Sequence, residues 1–420
     1  MRIIYTLGIR HYLAIIRIVS LFNNRARKLV RGRRWLFRNM ERELLPDGPY
    51  FWFHCASLGE FEQGRPLIEL LRKEDPSAKI LLTFYSPSGY EVRKNYEGAD
   101  YIFYLPADTP FNVWRFLNLV KPKAVFFIKY EFWFNFLHEI GRRKIPAFLV
   151  SGIFREDQYF FKWYGSWFLK KLKTFSRFYL QDKASEQLLE QFGLKNTLVT
   201  GDTRFDRVLE IASESRELPL AEAFRGDKKL IVCGSTWEED QDLLLALNLS
   251  NTPYKLLIAP HEIDKEQVGA VVTAFESKYR VITWSGANKA NVKDAEVLIV
   301  DNIGMLSSLY RYGSIAYIGG GFGNGIHNIL EAAVCGLPVL FGPNYQKFSE
   351  ANELITAGGA FCVNDAQELA KVFAMLSDPD VMKIAAEVSR NYVKKKSGAT
   401  ARIYKDFQQE FSQRQQDKVR

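Results

Sequence analysis

Short apolar runs alternate with polar, amphipathic stretches through the first half of the chain. Five of these runs are separated by turn signals and helical patterns: "YFWFHCAS", "KILLTFYS", "AVFFIKYEFW", "AFLVSGIF" and "RFYLQD". Strands that are buried on both faces of a parallel sheet read as continuous apolar runs of this kind. The pattern therefore predicts an α/β fold with a doubly wound parallel sheet.

A second series of runs begins near residue 228 and predicts a second doubly wound sheet. Its members are "KKLIVCGST", "YKLLIAPH", "YRVITWSG", "EVLIVDN", "IAYIGGG" and "LPVLFGPN". A chain of 420 residues is also about twice the size of one comfortable core. We expect one Rossmann-like domain at 43–210, a polar linker at 211–225, a second such domain at 226–395 and a polar C-terminal helix at 396–420.

The first 42 residues differ from the rest, because they carry eleven Lys or Arg and one acidic residue, Glu41. Arg10 and Arg17 are seven positions apart and therefore share one helix face. A charge near the middle of a bilayer costs a few kcal/mol or more. The segment 1–42 is therefore interpreted as an amphipathic helix that lies on an anionic membrane rather than one that spans it. The alternative is a solvated basic helix packed on the domain.

The net charge of +9 indicates an anionic partner, such as nucleic acid, anionic lipid or a phosphorylated substrate. The four cysteines lack CxxC spacing, which argues against a zinc site or a disulfide framework. Two D-x-D triplets, Asp240/Asp242 and Asp378/Asp380, have the form of a metal-diphosphate site, but both lie in or before predicted helices. They are interpreted as solvated carboxylates at helix starts, and no metal site is predicted.

The segment "DQYFFKWYGSWFLKKLKTF" interleaves aromatic residues with lysines. Nucleic-acid binding uses such chemistry, and so does binding of an amphiphile with an anionic headgroup. The third possibility is a helix whose aromatic face packs on the core while its lysines face solvent.

Ligands of open α/β sheets bind at the carboxyl ends of strands, so the residues that follow each run are candidates. In "IAYIGGGFGNGIHNILEAA" a strand ends in glycines and a helix follows, which favours binding of a nucleotide phosphate. Glu331, three residues after Asn328, could accept hydrogen bonds from ribose, although the two could also be a helix-capping pair. Further strand-end candidates in this half are Ser235, Thr236, Pro260, His261, Gly304, Met305 and Leu306.

The first half of the chain offers three charged candidates at strand ends. Glu60 follows the first run through Gly59, Glu131 lies within the aromatic stretch "FIKYEFWFN", and Arg204 follows a strand-like run in "VTGDTRFDRV". A carboxylate among aromatic residues is costly unless it is paired or used. The structural alternatives are a helix cap for Glu60, a buried ion pair for Glu131 and a surface salt bridge for Arg204.

Taken in order, these motifs resemble those of the bacterial 3-deoxy-D-manno-octulosonic acid (Kdo) transferases of lipopolysaccharide synthesis. The resemblance runs from the basic segment to about residue 390, and its most specific parts are "HCASLGEFEQG", "KYEFWFN", "TGDTRFD", "CGSTWEED", "IAPHEI", "DNIGML" and "GGGFGNGIHNILEAA". It implies a GT-B fold, with two Rossmann-like domains facing an interdomain cleft. It also implies attachment to the cytoplasmic face of the inner membrane through the N-terminal segment.

The resemblance implies an inverting transfer of Kdo from CMP-Kdo to lipid IVA, without a metal or other cofactor and without a nucleic-acid partner. By the same resemblance Glu60 is the general base, and Glu131 and Arg204 support the transition state. The first domain then binds the acceptor and the second the CMP-sugar. The CMP contacts are assigned to the strand-end set of the second domain: Ser235, Thr236, Pro260, His261, Gly304, Met305, Leu306, Asn328, Ile329, Leu330 and Glu331.

The chain departs from the family pattern at His261, where an arginine is usual, at Met305, where a carboxylate is usual, and at 151–153, which reads "SGI" instead of "NAR", with Arg155 close by. Two alternative functions fit the residues alone. One is a GT-B nucleotide-sugar epimerase, which would be soluble and would prefer UDP. The other is a basic membrane- or RNA-binding protein with a degenerate cleft.

Overall fold

The computed structural model places the two series of strands in two parallel sheets, one in each of two units of the chain. The first unit consists of Met1–Arg207 with Ser397–Arg420, and the second of Val208–Lys396. The structure describes residues 1–44, 48–214, 216–249 and 252–419.

Within the described residues, the sheet of the first unit has seven strands. They are β1 (Tyr50–Cys55), β2 (Ile80–Phe84), β3 (Tyr101–Tyr104), β4 (Pro122–Ile128), β5 (Ala147–Gly152), β6 (Arg177–Leu180) and β7 (Thr197–Val199). All pairings are parallel, in the order β3-β2-β1-β4-β5-β6-β7.

The sheet of the second unit likewise has seven strands among the residues that the structure describes. They are β8 (Lys229–Thr236), β9 (Tyr254–Pro260), β10 (Val281–Thr283), β11 (Val297–Ile299), β12 (Ile315–Ile318), β13 (Val339–Phe341) and β14 (Ala360–Cys362). Their order is β10-β11-β9-β8-β12-β13-β14, again with parallel pairings. The predicted α/β fold with two doubly wound sheets is therefore confirmed.

Helices connect the strands and cover both sheets. They are α1 (Arg2–Val19), α2 (Asn24–Arg33), α3 (Leu36–Glu43), α4 (Leu58–Glu74), α5 (Pro87–Arg93), α6 (Pro110–Val120), α7 (Phe134–Arg142), α8 (Ser166–Leu172), α9 (Lys183–Gln191), α10 (Arg204–Ser213), α11 (Pro219–Arg225), α12 (Glu238–Leu245), α13 (Lys265–Glu276), α14 (Leu306–Leu309), α15 (Leu330–Val334), α16 (Ser349–Ala357), α17 (Ala366–Leu376), α18 (Pro379–Lys396) and α19 (Ala399–Val419). Short 3₁₀ turns lie at Tyr159–Phe161, Trp163–Gly165, Asn291–Asp294 and Tyr310–Tyr312. The stretch 211–225 holds the end of α10 and all of α11.

Side chains of β1 alternate between two apolar layers, as the two-residue period of a strand requires. Tyr50 and Trp52 are fully buried in the layer that includes residues of α3, α6, α7 and α8. Phe51 and Phe53 belong to the layer on the other face, which includes residues of α4 and α19. Because both faces are covered, β1 shows as one continuous apolar run in the sequence.

The C-terminal helix α19 completes the second of these layers. Ile403 and Phe407 are four positions apart, which puts them on one helix face, and both are buried in the layer that also contains Phe51 and Phe53. On the same helix, Asp406 accepts two hydrogen bonds from the Arg177 guanidinium at 2.9 and 2.8 Å. The segment that the sequence shows as polar therefore carries a buried apolar stripe and a bidentate ion pair that docks it on the first unit.

The aromatic and lysine-rich segment divides into two structural parts. Phe160, Phe168 and Leu172 are buried in the core of the first unit, as the third possibility above predicts. Trp163 instead is 91% exposed, and Tyr164 beside it is 54% exposed. The segment is broken into two 3₁₀ turns and the short helix α8, rather than forming one aromatic-faced helix.

Helix α1 is held against the first unit by a buried carboxylate. The Tyr5 hydroxyl donates to Asp108 at 2.8 Å, and the same carboxylate accepts the backbone N–H groups of Asn135 and Phe136, each at 3.0 Å. These two N–H groups belong to the first turn of α7, where the helix dipole favours a negative charge. Arg2 adds a hydrogen bond from its Nε to Asn135 at 2.9 Å.

Helix α1 lies along the carboxyl edge of the first sheet. Its Tyr5 meets Asp108, which follows β3, and its Tyr12 hydroxyl lies 3.1 Å from that of Tyr85, which directly follows β2. Arg33 of α2 donates to the backbone oxygen of Tyr85 at 2.9 Å on the same edge. None of the helices in the described part of the chain combines the length and the apolarity that crossing a bilayer requires.

Burial raises the pKa of Asp108, and hydrogen bonds from Tyr5, Asn135 and Phe136 lower it. Burial has the larger effect, and the pKa is about 6. An unfolded aspartate titrates near 3.9, so the folded state binds the proton more tightly. The stabilisation from this proton is complete below about pH 4 and is lost as the pH rises through 6.

We therefore expect Asp108→Asn to remove part of the decrease in unfolding free energy that wild type shows between about pH 4 and pH 6.5. The lost component is at most about 3 kcal/mol. Urea denaturation at several pH values measures it for the variant and the wild type. Parallel curves for the two proteins would contradict the assignment.

Candidate functional site

The order of strands in the first unit identifies where its ligand site lies. β1 and β4 are neighbours at the centre of the sheet, and the strands that follow each of them extend in opposite directions. Ligands of open α/β sheets bind at such a topological switch point, outside the carboxyl ends of the strands. Glu60 lies in the segment after β1 and Glu131 in the segment after β4, so the structure brings both predicted residues to this point.

Glu60 lies in the first turn of α4, with Ser57 as the residue before that turn. The Ser57 hydroxyl donates to the Glu60 carboxylate, and the helix N-terminus favours the negative charge. The side chain is half-buried. The carboxylate is thus held at the helix N-terminus and reaches solvent.

Glu131 is paired with a buried histidine and with the tryptophan two residues after it. Its Oε2 lies 3.0 Å from His54 Nε2 and accepts the Trp133 indole N–H at 2.6 Å. The His54 ring is fully buried, and its Nδ1 lies 3.1 Å from the Thr83 backbone oxygen. This arrangement fixes the imidazole and, through it, the carboxylate.

His54 was not among the predicted site residues. It lies within β1 in an apolar run, where a lone histidine gives no signal of its own. Only the pairing of β1 with β4, which aligns His54 with Phe127, brings it near Glu131.

Arg204 begins α10 and is held by a residue just before the helix. Its Nε donates to Asp202 at 2.7 Å, and Asp202 also accepts from the amide of buried Gln63 at 3.3 Å. The Thr203 hydroxyl donates to the Gln63 backbone oxygen at 2.6 Å. Because Gln63 lies one turn after Glu60 in α4, these bonds connect the segment of Arg204 to the helix of Glu60.

Several of these charges act on one phenol. Burial raises the pKa of Tyr130. The positive charges of Arg155 and Arg204 lower this pKa, and the negative charges of Asp182 and Glu60 raise it. Tyr130 lies between Glu131 and Lys129, whose φ of 66° places it in the left-handed region. A non-glycine residue in that conformation is uncommon and tends to occur at functional sites.

The second unit has its switch point between β8 and β12, which are neighbours at the centre of its sheet. Gly319 at the end of β12 packs so closely on β8 that a Cβ there would lie 2.3 Å from the Ser235 backbone oxygen. Ser235 itself has a φ of 54°. Thr236 ends β8 and is buried, and α12 begins only after Trp237, so Ser235 and Thr236 do not cap that helix.

Asp240 connects the two central segments of this edge. Its Oδ2 accepts the backbone N–H groups of Trp237 and Gly320, each at 2.9 Å, and its Oδ1 accepts the Tyr317 hydroxyl at 2.8 Å. Its side chain is 1% exposed, and burial raises its pKa against these three donors. The interpretation of Asp240 as a solvated carboxylate is therefore wrong, because three donors of the fold surround it. Asp242 is exposed, as predicted.

Three aromatic rings lie together at the carboxyl ends of β8, β9 and β12. The His261 ring stacks on Trp237 and on His327, with 4.5 Å between centroids in each case. The Trp237 indole N–H donates to His327 Nε2 at 3.1 Å. Burial and the neighbouring His261 lower the pKa of His327, so this ring favours the neutral state in which Nε2 can accept.

The remaining predicted residues of the second unit lie on the same edge. Pro260 ends β9, and the His261 backbone N–H donates to the Thr236 backbone oxygen at 3.0 Å. Gly304 has a φ of 84° and precedes Met305 at the start of α14. The Leu306 side chain packs on Gly234 of β8, so close that a Cβ at Gly234 would lie 2.9 Å from it.

Asn328 and Glu331 form the capping pair that the sequence offered as an alternative. The Asn328 side chain accepts the Leu330 N–H at 3.1 Å and donates to Glu331 at 3.1 Å. α15 begins at Leu330, and Ile329 is buried beside it. The pair orients the Glu331 carboxylate, and capping does not prevent it from also binding a ribose.

Trp237 and His327 are two further site residues that sequence reasoning missed. Both directly adjoin predicted positions, Thr236 and Asn328. An aromatic residue next to a strand end was the available signal, but the packing of three rings depends on strand order. Among the described residues, no group of three or more His, Cys, Asp or Glu side chains could hold a metal ion.

Comparison with known proteins identifies the relatives of this chain. Residues 28–207 match the family model described as 3-Deoxy-D-manno-octulosonic-acid transferase (kdotransferase). The 3-deoxy-D-manno-octulosonic acid transferase of Aquifex aeolicus is 30% identical over 356 residues, which cover 82% of this chain and 92% of that protein. The chain belongs to the Kdo transferase family. It is therefore a glycosyltransferase. This confirms the resemblance to the Kdo transferases, and it favours neither the epimerase nor the degenerate binding protein.

A second relative supports the family assignment of this Kdo transferase family member, and two solved structures share its fold. The 3-deoxy-D-manno-octulosonic acid transferase of Chlamydophila psittaci is 28% identical over 359 residues, which cover 80% of this chain and 79% of that protein. The UDP-GlcNAc 2-epimerase of Neisseria meningitidis aligns with a TM-score of 0.57 at 17% identity, over 82% of this chain and 98% of that one. MurG of Acinetobacter baumannii aligns with a TM-score of 0.54 at 15% identity, over 86% of this chain and 100% of the MurG chain. These structures confirm the predicted GT-B fold.

Asp240 and Asp242 offer a matched pair for testing the second edge. In Asp240→Asn the amide oxygen can still accept the two backbone N–H groups, but its NH2 group replaces the oxygen that accepts from the Tyr317 hydroxyl, and the negative charge that strengthens all three bonds is lost. We expect the free energy of unfolding of the second unit to fall by about 1–3 kcal/mol and CMP to bind more weakly. Asp242→Asn should change stability by less than about 0.5 kcal/mol.

Urea denaturation and CMP titration of both variants measure these effects. Equal stability and equal CMP affinity of Asp240→Asn and wild type would show that the buried carboxylate does not organise this edge.

Proposed function

We propose that this protein transfers Kdo from CMP-Kdo to lipid IVA with inversion at the sugar, using Glu60 as the general base and no metal cofactor. The observation that carries the proposal is the position of Glu60. It lies at the switch point of the first sheet, in the first turn of α4, in a member of the Kdo transferase family. Hydrogen bonds connect this helix to the segment of Arg204, and Glu131 follows the neighbouring central strand.

Binding of the donor is assigned to the carboxyl edge of the second sheet. Backbone N–H groups and left-handed residues at Ser235 and Gly320 form the type of concave backbone that suits a phosphate. The rings of Trp237 and His261 offer a stacking surface for a pyrimidine. Glu331, held by Asn328, supplies a carboxylate for ribose hydroxyls.

In the proposed reaction the Glu60 carboxylate accepts the proton of an acceptor hydroxyl. The oxygen attacks the anomeric carbon of Kdo from the face opposite the phosphate, and the bond from that carbon to the phosphate oxygen breaks. CMP leaves with the electron pair of that bond. A positioned base of this kind contributes about 10²–10⁴ to the rate.

Arg204 and Glu131 are assigned supporting roles. As the bond to CMP breaks, positive character develops on the sugar and negative charge on the phosphate. The fixed guanidinium of Arg204 suits the phosphate, and the oriented carboxylate of Glu131 suits the sugar. A monophosphate leaving group needs less charge compensation than a diphosphate. Asp240 of the D-x-D triplet is occupied by three donors of the fold.

The membrane surface is the proposed location of the reaction, on the cytoplasmic side of the inner membrane. Helix α1 leaves many apolar side chains uncovered, among them Ile3, Ile4, Leu7, Ile15, Ile18 and Val19. Arg10 and Arg17 on the same helix are exposed as well. An exposed apolar face with basic residues suits in-plane binding to anionic lipid.

Glu60→Gln keeps the size and the hydrogen-bonding reach of the side chain but cannot accept the proton. We expect turnover of CMP-Kdo and lipid IVA, followed by mass spectrometry of the product, to fall by about 10²–10⁴. Thermal midpoint and CMP affinity should change little, since a charge at a helix N-terminus contributes about 1 kcal/mol or less.

Glu74→Gln, an exposed change in the same helix, is the control and should transfer at the normal rate. If Glu60→Gln also retained near-normal turnover, Glu60 would be a helix-capping residue and not the base.

Membrane attachment can be tested on the exposed face of α1. Ile15 and Ile18 are 57% and 63% exposed, and burying each in lipid is worth about 1.5–3 kcal/mol. The double variant Ile15→Asp, Ile18→Asp should bind vesicles that contain anionic phospholipid at least about tenfold more weakly.

Ile384→Asp, at a position that is 62% exposed in the second unit, should bind as wild type does. Vesicle flotation measures all three proteins, and equal flotation of the double variant would exclude α1 as the attachment site.

A further inference from the structure

A cavity of about 460 Å³ opens beside Glu131 in the first unit. Its walls include Tyr5, Tyr130, Glu131, Trp133, Arg155 and Tyr159. All of them come from segments at the carboxyl edge of the first sheet or from helix α1. The mechanism above uses Glu131 but leaves the rest of this cavity without a role.

The chemistry of the walls is that of a site for a sugar with an anionic group. Trp133, Tyr130, Tyr159 and Tyr5 contribute aromatic side chains to the walls, and the apolar faces of sugar rings can pack on such side chains. The Arg155 guanidinium makes no hydrogen bond or ion pair with the described residues, and it is exposed at the cavity wall. An arginine fork that is free in this way matches a phosphate oxygen pair.

The loop that carries Arg155 is held in place independently of the guanidinium. The Arg155 backbone N–H donates to the Gln158 side-chain oxygen at 3.0 Å, and the Gln158 N–H donates back to the Arg155 backbone oxygen at 3.1 Å. Gln158 and Asp157 also reach the cavity, where they can pair with sugar hydroxyls. The turn is therefore held by backbone and Gln158 hydrogen bonds, and the Arg155 guanidinium stays available for a ligand.

The wall of the cavity includes a residue of the membrane-facing helix, Tyr5, and a residue within electrostatic reach of the proposed base, Tyr130. Glu60 and Arg155 both act on the Tyr130 phenol, and Tyr130 lines the cavity. On the other side, Tyr5 lines it while its neighbours Ile3 and Ile4 are 77% and 67% exposed. One turn of α1 thus contributes both to the cavity wall and to the apolar surface.

From this juxtaposition we infer that the cavity receives the phosphorylated sugar headgroup of the lipid acceptor. Arg155 is its anion-recognition residue, and α1 forms the boundary between headgroup and acyl chains. The acyl chains stay with the apolar face of α1 while an acceptor hydroxyl reaches Glu60. This inference rests on the proposed function for the identity of the acceptor.

The first test uses the full chain, CMP-Kdo and lipid IVA in neutral detergent micelles. Arg155→Gln removes the charge, and Lys162→Gln removes an exposed charge from the same segment. We expect Arg155→Gln to raise KM for lipid IVA about tenfold to a hundredfold, with kcat and CMP affinity within about twofold of wild type. Lys162→Gln should behave as wild type.

An acceptor that lacks its phosphates adds a double-mutant comparison. With wild type, the acceptor without phosphates should have a KM that is higher than that of lipid IVA by about the factor expected for Arg155→Gln. With Arg155→Gln, removing the phosphates should raise KM little further. An unchanged KM in Arg155→Gln, an equal rise in Lys162→Gln, or additive losses would each overturn the inference.

A second measurement does not depend on turnover. Tryptophan fluorescence is titrated with lipid IVA in micelles, against empty micelles and micelles that contain phosphatidylglycerol. A signal that is specific to lipid IVA and lost in Arg155→Gln supports the cavity even if wild type transfers no Kdo, in which case only the proposed reaction fails. An equal response to phosphatidylglycerol, or no response to lipid IVA, overturns the assignment.

Discussion

The central constraint on both units is the reversal of strand order in a parallel sheet. Where two neighbouring strands send their connections in opposite directions, the segments that leave them diverge and a crevice remains at the carboxyl edge. β1 with β4, and β8 with β12, are those neighbours here. Glu60, Glu131 and Gly319 lie where they do because each follows one of these strands, and Ser235 lies in the last part of β8 itself.

Buried polar groups then give these edges their shape. Asp240 holds the ends of β8 and β12 together through three donors, and Gln63 connects the segment of Arg204 to α4. Each such group is costly to bury unless its hydrogen bonds are made. The requirement explains why polar residues of these segments face inward, where they orient the site without contacting a substrate.

The interior strands could be predicted from sequence because burial on both faces leaves an unbroken apolar run. The strands that escaped prediction, β3 and β14, are short edge strands whose residues are partly exposed. Asp240 was misjudged because an acidic residue at a helix start is usually solvated, and its burial depends on Tyr317 and Gly320, which are distant in sequence. His54 escaped prediction for the same reason, since only strand pairing brings it to Glu131.

The route of the chain has a consequence for synthesis of the protein. The aromatic face of β1 and β4 is covered by α19, whose residues follow the whole of the second unit in the chain. A ribosome adding about 5–20 residues per second needs on the order of ten to forty seconds to make that intervening unit. Phe51, Phe126 and Phe148, whose rings pack on Phe407 of α19, lack that part of their cover on the nascent chain during this time. A growing polypeptide with such a surface is a natural client for chaperones that bind apolar segments, and a stalled one is an early substrate for quality-control proteases.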